Sequence, residues 1–234
     1  MTRVLLVRHG LSTANTGDVL AGWMPGVHLA EKGREQVDAL AERLAPLPLA
    51  AIVTSPLERC RETADVIAKS RDTIEPVVDE RFGECRYGDW TGQELKKLTK
   101  DPLWKVVQAH PSAARFPGAE GESLAETQAR AVAAVRDWNA KLGSDATYLV
   151  VSHADVIKAV LADALGQHLD LFQRIVVNPA SVSVVQYTDL RPFVVRINDT
   201  GGRIDDLMPP PKKTRRRKPS SDAVVGGGAG APTA

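Results

Sequence analysis

Two short apolar runs that end in polar residues place the strongest constraint on the fold of this chain. Val4–Val7 precedes the run Arg8–Gly10, and Tyr148–Val151 precedes Ser152–His153. Wholly apolar runs rich in leucine and β-branched residues are typical of strands buried on both faces of a sheet. In open α/β sheets, ligands bind beyond the carboxyl ends of such strands. The sequence therefore predicts an anion site where an arginine and two histidines meet, one histidine being a candidate nucleophile.

Strand and helix patterns alternate along the rest of the chain. Helices are expected at about 29–44, from Pro56 onward, at about 123–142 and from 154 to 165. Further strands are expected at 51–54, 76–78, 182–185 and 192–197, and an irregular loop at 80–92. This alternation predicts a three-layer α/β/α domain with a mainly parallel central sheet. An edge strand near Ser183 or Phe193 would support a homo-oligomer.

Composition divides the chain into a body at 1–207 and a tail at 208–234. The tail contains three consecutive prolines at 209–211, a basic run at 212–218 and a stretch rich in Ser, Gly and Ala. Such a segment cannot offset the entropy of ordering, so we predict that it is disordered. The basic run would suit nucleic acid or another polyanion. The alternative is a solvated tail that aids solubility, which the lack of interleaved aromatic residues favours.

The composition of the 234 residues argues against several classes of protein. Only four consecutive apolar residues occur near the start, too few for a secretory leader, and no later run approaches a membrane span. Two cysteines do not make a disulfide framework. The contents of 43% hydrophobic and 25% charged residues are ordinary for a soluble globular protein. We therefore expect a cytoplasmic protein that does not contact a membrane.

Five motifs occur in order over about residues 1–205. They are Arg8-His9-Gly10 with Asn15, Ser55-x-Leu57-x-Arg59 with Thr63-Ala64, Glu84-x-x-x-Gly88-x-Trp90-x-Gly92, Gly121-Glu122-Ser123 and Ser152-His153. Together they resemble the histidine phosphatase superfamily, which includes cofactor-dependent phosphoglycerate mutases and many small phosphatases. The chain is most similar to an actinobacterial branch described as probable phosphomutases. The resemblance implies a phosphoglycerate-mutase-like catalytic domain at 1–207.

The resemblance also implies catalytic roles. His9 would attack phosphorus through a neutral ring nitrogen, with its other nitrogen held by the Gly10 carbonyl. Arg8 and Arg59 would clamp the phosphoryl oxygens, because arginine offers paired donors and stays charged. His153 would add a third donor when it is protonated.

Glu84 would protonate the leaving oxygen and then activate water. It would need a raised pKa, which we expect a bound phosphate dianion to supply. Glu80, one helical turn upstream, is a competing candidate, although the Glu-x-x-x-Gly-x-Trp spacing favours Glu84.

The predicted substrate contacts rest on the same resemblance. Ser12 and Asn15 would bind the phosphate or the substrate body, or they would only cap and turn the loop. Gly22 and Trp23 fall where relatives bring loop backbone to the substrate. The expected partner is a small phosphorylated metabolite, and neither a metal nor a cofactor is expected. Sugar phosphates, nucleotides, cobalamin precursors and phosphoglycerates all fit as substrates.

Three departures from the family pattern affect the predicted reaction. Leu11 replaces a glutamate found in many members, and Ala154-Asp155 replaces glycines. Asp155 would be unfavourable near a phosphate unless it points away or caps the following helix. The segment from Gly92 to Gly121 lacks the adjacent arginine pair of the mutases. We therefore predict a metal-independent phosphomonoesterase, with a cofactor-dependent phosphomutase as the first alternative. The second alternative is a phosphate-sensing or polyanion-binding protein that acts through its basic tail.

Overall fold

One sheet of six strands forms the centre of the part of the protein that can be described. The computed structural model describes residues 1–71 and 74–202, so the predicted tail lies outside the described residues. The strands are β1 Thr2–Arg8, β2 Ala51–Thr54, β3 Val77–Val78, β4 Thr147–Ser152, β5 Val182–Tyr187 and β6 Pro192–Asp199. Their order in the sheet is β3-β2-β4-β1-β5-β6. The helices are α1 Thr13–Thr16, α2 Glu31–Leu44, α3 Glu58–Ala68, α4 Leu95–Leu98, α5 Pro102–Ala109, α6 Leu124–Leu142 and α7 Ala154–Ala164.

The sheet is mainly parallel, as the sequence predicts. Strand β1 pairs with β4, β4 with β2, and β2 with β3, all in parallel. Only β5 and β6 run antiparallel to their neighbours. Parallel pairs need crossover connections, and the helices between the strands supply them. The predicted α/β fold class is confirmed.

Helices cover both faces of the sheet. In β1, Leu5 and Val7 belong to the apolar cluster that includes side chains of α2 and α3, whereas Val4 and Leu6 belong to the cluster that includes α6 and α7. Successive side chains of a strand point to opposite faces, so a strand covered on both sides is apolar at every position. This is the physical origin of the apolar run that ends at Arg8.

The structure corrects one local prediction and decides between two alternatives of another. Helix α3 begins at Glu58 and not at Pro56, because Leu57 is its N-cap and takes an extended backbone conformation. Ser183 lies in β5, which pairs with β1 and β6, so it is not on an edge strand. Phe193 does lie on the edge strand β6, and its side chain is exposed.

The long connection from β3 to α6 is better ordered than the sequence indicates. Asp101 caps α5 by accepting the Leu103 amide proton, and Pro102 occupies the first turn. The Trp90 indole donates to Asp101 and its ring packs edge-on against Phe116. These contacts anchor the loop at 80–92, which carries Glu84. An Asp-Pro pair is a readable helix start that the sequence interpretation missed.

Candidate active site

The carboxyl ends of β1 and β4 bring the two predicted histidines together. Arg8 and Ser152 are partners in the parallel register, and the His9 amide donates to the Ser152 carbonyl at 3.1 Å. A histidine directly follows each strand, and the ring centroids of His9 and His153 lie 5.2 Å apart. Both rings are buried. The meeting of these side chains follows from strand pairing alone.

His9 is held in a state suited to nucleophilic attack. Its Nδ1 lies 2.7 Å from the Gly10 carbonyl oxygen, which only accepts hydrogen bonds, so Nδ1 carries the proton and Nε2 carries the lone pair. Burial, followed by the charges of Arg59 and Arg8, holds the pKa of His9 well below its usual range. The ring is therefore neutral at physiological pH.

Arg59, in the first turn of α3, reaches into the same place. Its Nη2 donates to the Gly22 carbonyl at 2.9 Å and lies 3.2 Å from His153 Nδ1. Its Nη1 is buried and has no hydrogen-bond partner among the described residues. A buried charged donor without an acceptor is costly, so this atom is suited to an anionic oxygen that enters the site. Arg8 is also buried, and its Nη1 donates to the Val177 carbonyl at 2.7 Å.

Glu84 is the buried carboxyl group of the loop at 80–92, whereas Glu80 is exposed. One Glu84 oxygen accepts the Cys85 amide proton at 3.0 Å, and the other lies 3.8 Å from His153 Nδ1. Burial, with Asp155 as the second cause, raises the pKa of Glu84 to about 7 against the opposing charge of Arg59. We expected a bound phosphate dianion to raise this pKa, whereas the surroundings of Glu84 in the protein already raise it.

His153 contacts Ser55 Oγ through Nε2 at 2.8 Å. Burial, followed by the charges of Arg59 and His9, holds the pKa of His153 well below its usual range. The sequence interpretation required a protonated His153 as a third donor. Burial and the neighbouring arginines oppose that protonation, so it would need a phosphate dianion close by to offset them.

The loop that carries Glu84 is held by a residue that sequence reasoning missed. Arg130 of α6 donates to the carbonyl oxygens of residues 81, 83 and 84 and forms an ion pair with Glu122. The Trp23 indole also donates to the Glu84 carbonyl, at 2.6 Å. The Gly121-Glu122-Ser123 motif is the sequence feature that could have pointed to Arg130, because Glu122 pairs with it.

The predicted substrate contacts divide into two groups. Ser12 and Asn15 form the reciprocal cap of the short helix α1, so the capping alternative describes their contacts. Gly22 and Trp23 touch the candidate catalytic residues directly, through Arg59 and the Glu84 carbonyl. Their roles toward a substrate stay predictions.

Residues 1–71 and 74–202 contain no helix that is both long enough and apolar enough to cross a membrane. Over the same ranges, no group of three or more His, Cys, Asp or Glu side chains is arranged to hold a metal ion.

Comparison with known families agrees with this geometry. The family model described as "Histidine phosphatase superfamily (branch 1)" matches residues 4–200. The chain belongs to the histidine phosphatase superfamily. The predicted family and the prediction of an enzyme are thereby confirmed.

Several named proteins are similar to this chain in sequence or in structure. Phosphoserine phosphatase 1 of Hydrogenobacter thermophilus is 30% identical over 208 residues, covering 86% of this chain and 93% of that protein. Glucosyl-3-phosphoglycerate phosphatase of Mycolicibacterium vanbaalenii is 33% identical over 177 residues, covering 72% and 76%. A probable phosphoglycerate mutase of Photorhabdus laumondii is 31% identical over 191 residues, covering 80% and 86%. Among solved structures, Bacillus stearothermophilus YhfR has a TM-score of 0.77 at 29% identity, covering 85% of this chain and 98% of its own.

Proposed function

We propose that this superfamily member hydrolyses a phosphoric monoester through a phosphohistidine on His9, without a metal ion. The observation that carries the proposal is the Nδ1 contact of His9 with the Gly10 carbonyl, which leaves a neutral Nε2 as nucleophile. Two buried arginines lie beside it, and Glu84 has a pKa of about 7. A nucleophile, a cationic clamp and an acid are the groups that this chemistry requires.

In the first step, the Nε2 lone pair of His9 forms a bond to phosphorus while the bond from phosphorus to the ester oxygen breaks. The leaving oxygen takes the proton of Glu84 and departs as an alcohol. In the second step, the Glu84 carboxylate removes a proton from water, whose oxygen attacks phosphorus as the bond to Nε2 breaks. Inorganic phosphate leaves, and both residues return to their starting states. Arg8 and Arg59 offset the charge on the phosphoryl oxygens throughout.

The main alternative is transfer of the phosphoryl group to a second substrate position, as in a mutase. The connection from Gly92 to Gly121 lacks an adjacent arginine pair, and Lys96, Lys97 and Lys100 are exposed there. Lys97 is moreover paired with Glu94. These contacts favour a site that holds one phosphate, and hence hydrolysis.

Product analysis distinguishes the two reactions. We expect inorganic phosphate to be released from p-nitrophenyl phosphate and from members of a phosphorylated-metabolite panel in the presence of EDTA. The same panel is assayed for transfer between carbons of phosphoglycerate, with a bisphosphate primer. Transfer without phosphate release would identify a mutase. No reaction in either assay, together with polyanion binding that is lost when residues 208–234 are deleted, would favour the binding protein.

An exposed arginine two residues after Glu84 supports a proposal for the substrate class. Arg86 is exposed, and its guanidinium lies 3.9 Å from the centroid of the Trp23 ring, which is bonded to the Glu84 carbonyl. Its guanidinium makes no hydrogen bond within the described residues, so its donors are available. Phosphoserine and glucosyl-3-phosphoglycerate, named for two relatives, both carry a carboxylate. We propose a substrate in which a carboxylate accompanies the phosphate and pairs with Arg86.

Replacing Arg86 with alanine is expected to raise KM for O-phosphoserine and 3-phosphoglycerate about tenfold, the cost of one charged hydrogen bond. The kcat values, and the KM for p-nitrophenyl phosphate, should stay unchanged because that substrate lacks a carboxylate. Arg191→Ala, an exposed arginine in the β5–β6 turn, is the matched control. An equal change for all three substrates would contradict the proposed carboxylate contact.

A further inference from the structure

Two carboxyl groups share the buried site, and the proposed reaction uses only one of them. Asp155 has no exposed surface, and Glu84 is 4% exposed. Asp155 lies in the first turn of α7, two residues after His153. Asp155 does not point away from the site, since its charge acts on both Glu84 and Arg8. A buried acid at this point needs an explanation.

Asp155 accepts a hydrogen bond from one buried side chain and forms an ion pair with another. The Tyr87 hydroxyl donates to it at 2.9 Å, and Lys158 Nζ lies 3.7 Å from its other oxygen. Burial, followed by the charge of Asp155, raises the pKa of Tyr87 well above its usual range, so Tyr87 stays a donor. Lys158 also donates to Gln173 at 3.1 Å and is buried. The N-terminus of α7 adds a favourable dipole.

The same network joins Asp155 to the loop of the general acid. Tyr87 lies three residues after Glu84, so its hydrogen bond ties the loop at 80–92 to α7. We propose that Asp155 is a positioning residue, a fixed buried anion that keeps Glu84 protonated and ready to donate before the substrate is cleaved. This inference rests on the proposed function.

The charges around Glu84 show why this anion is effective. The titratable groups that interact with Glu84 are Arg8 from β1, Arg59 and Cys60 from α3, His153 after β4, Asp155 and Lys158 from α7, Cys85 and Tyr87 from its own loop, and Arg130 from α6 at its carbonyl. Arg8 and Arg59 would stabilise an ionised Glu84. Burial and Asp155 oppose them, because a second negative charge in one buried site is unfavourable.

The test compares the wild type with Asp155→Asn, which keeps the shape and can still accept from Tyr87. The substrates are p-nitrophenyl phosphate and the best alkyl phosphate of the panel, whose poor leaving group needs a proton. For the alkyl phosphate, we expect the pH at which kcat falls on the alkaline side to move down by about one pH unit. The alkaline side of the p-nitrophenyl phosphate profile should stay in place. A ¹³C titration of the Glu84 carboxyl reads the same shift without turnover.

A second variant, Asp155→Asn with Lys158→Met, removes both charges of the buried pair. It is used for the same measurements if the single variant does not fold. An unmoved pH profile and an unmoved Glu84 titration in a folded variant would overturn the proposal. So would an equal loss of activity at every pH and for both substrates, or failure of both variants to fold, since these outcomes indicate a purely structural role. Failure of the proposed function would be visible in the wild type, as absence of His9-dependent phosphate release, while the titration still tests the effect of Asp155.

Discussion

Replacing His9 with alanine is expected to lower kcat for p-nitrophenyl phosphate by at least about a thousandfold, because the atom that bonds to phosphorus is removed. The arginines and Glu84 would remain, so KM should change much less than kcat. The direct measurement is labelling: wild type quenched during turnover should carry acid-labile, base-stable phosphate, and the variant should carry none.

The matched control is His110→Ala, which removes an exposed histidine on the segment after α5. It should retain wild-type turnover and labelling. If His9→Ala kept more than a tenth of the wild-type rate, or if labelled phosphate persisted in it, a phosphohistidine on His9 would be ruled out. Direct attack of water on the ester would then be the mechanism to test.

Replacing Glu84 with glutamine is expected to lower kcat for alkyl phosphates by about a hundredfold to ten-thousandfold, the usual contribution of a positioned acid. For p-nitrophenyl phosphate, whose leaving group needs no proton, the first step should survive while the water attack slows. Rapid mixing should therefore show a burst of about one p-nitrophenolate per enzyme, followed by slow turnover.

The pH dependence follows from the same group. The pKa of Glu84 is about 7, and only its protonated form donates to the leaving oxygen. As the pH rises above about 7, wild-type kcat/KM for an alkyl phosphate, which reports the free enzyme, should fall about tenfold per pH unit, as one proton is lost from a required acid. The Glu84→Gln variant should not show this fall in rate above pH 7.

Glu80→Gln is the control for this prediction, because Glu80 competes with Glu84 in the sequence and is exposed in the structure. It should behave as the wild type in both experiments. A loss of activity in Glu80→Gln with normal turnover in Glu84→Gln would reverse the assignment of the general acid.

The sequence by itself determines the parts of this site that depend on strand pairing. Strands covered on both faces can be recognised in the sequence because they are apolar at every position. Once β1 and β4 are parallel neighbours, the residues that follow them must meet. His9 and His153 could therefore be placed together from sequence, and the motif order pointed to Arg59 and to the family. The sheet class was predictable for the same reason.

Only the tertiary structure decided which groups are buried together and how they titrate. Glu84 and Glu80 both lie in an irregular loop, where no periodicity indicates which side chain points inward. Only the packed structure shows that Glu84 is buried and Glu80 is exposed. Arg130 reaches the loop from a helix whose sequence shows only an amphipathic pattern. Asp155 looked unfavourable because its partners, Tyr87 and Lys158, are recognisable only after α7 and the loop are packed. Local patterns record which face of an element is covered, whereas a pKa depends on all the charges that folding brings within a few ångströms.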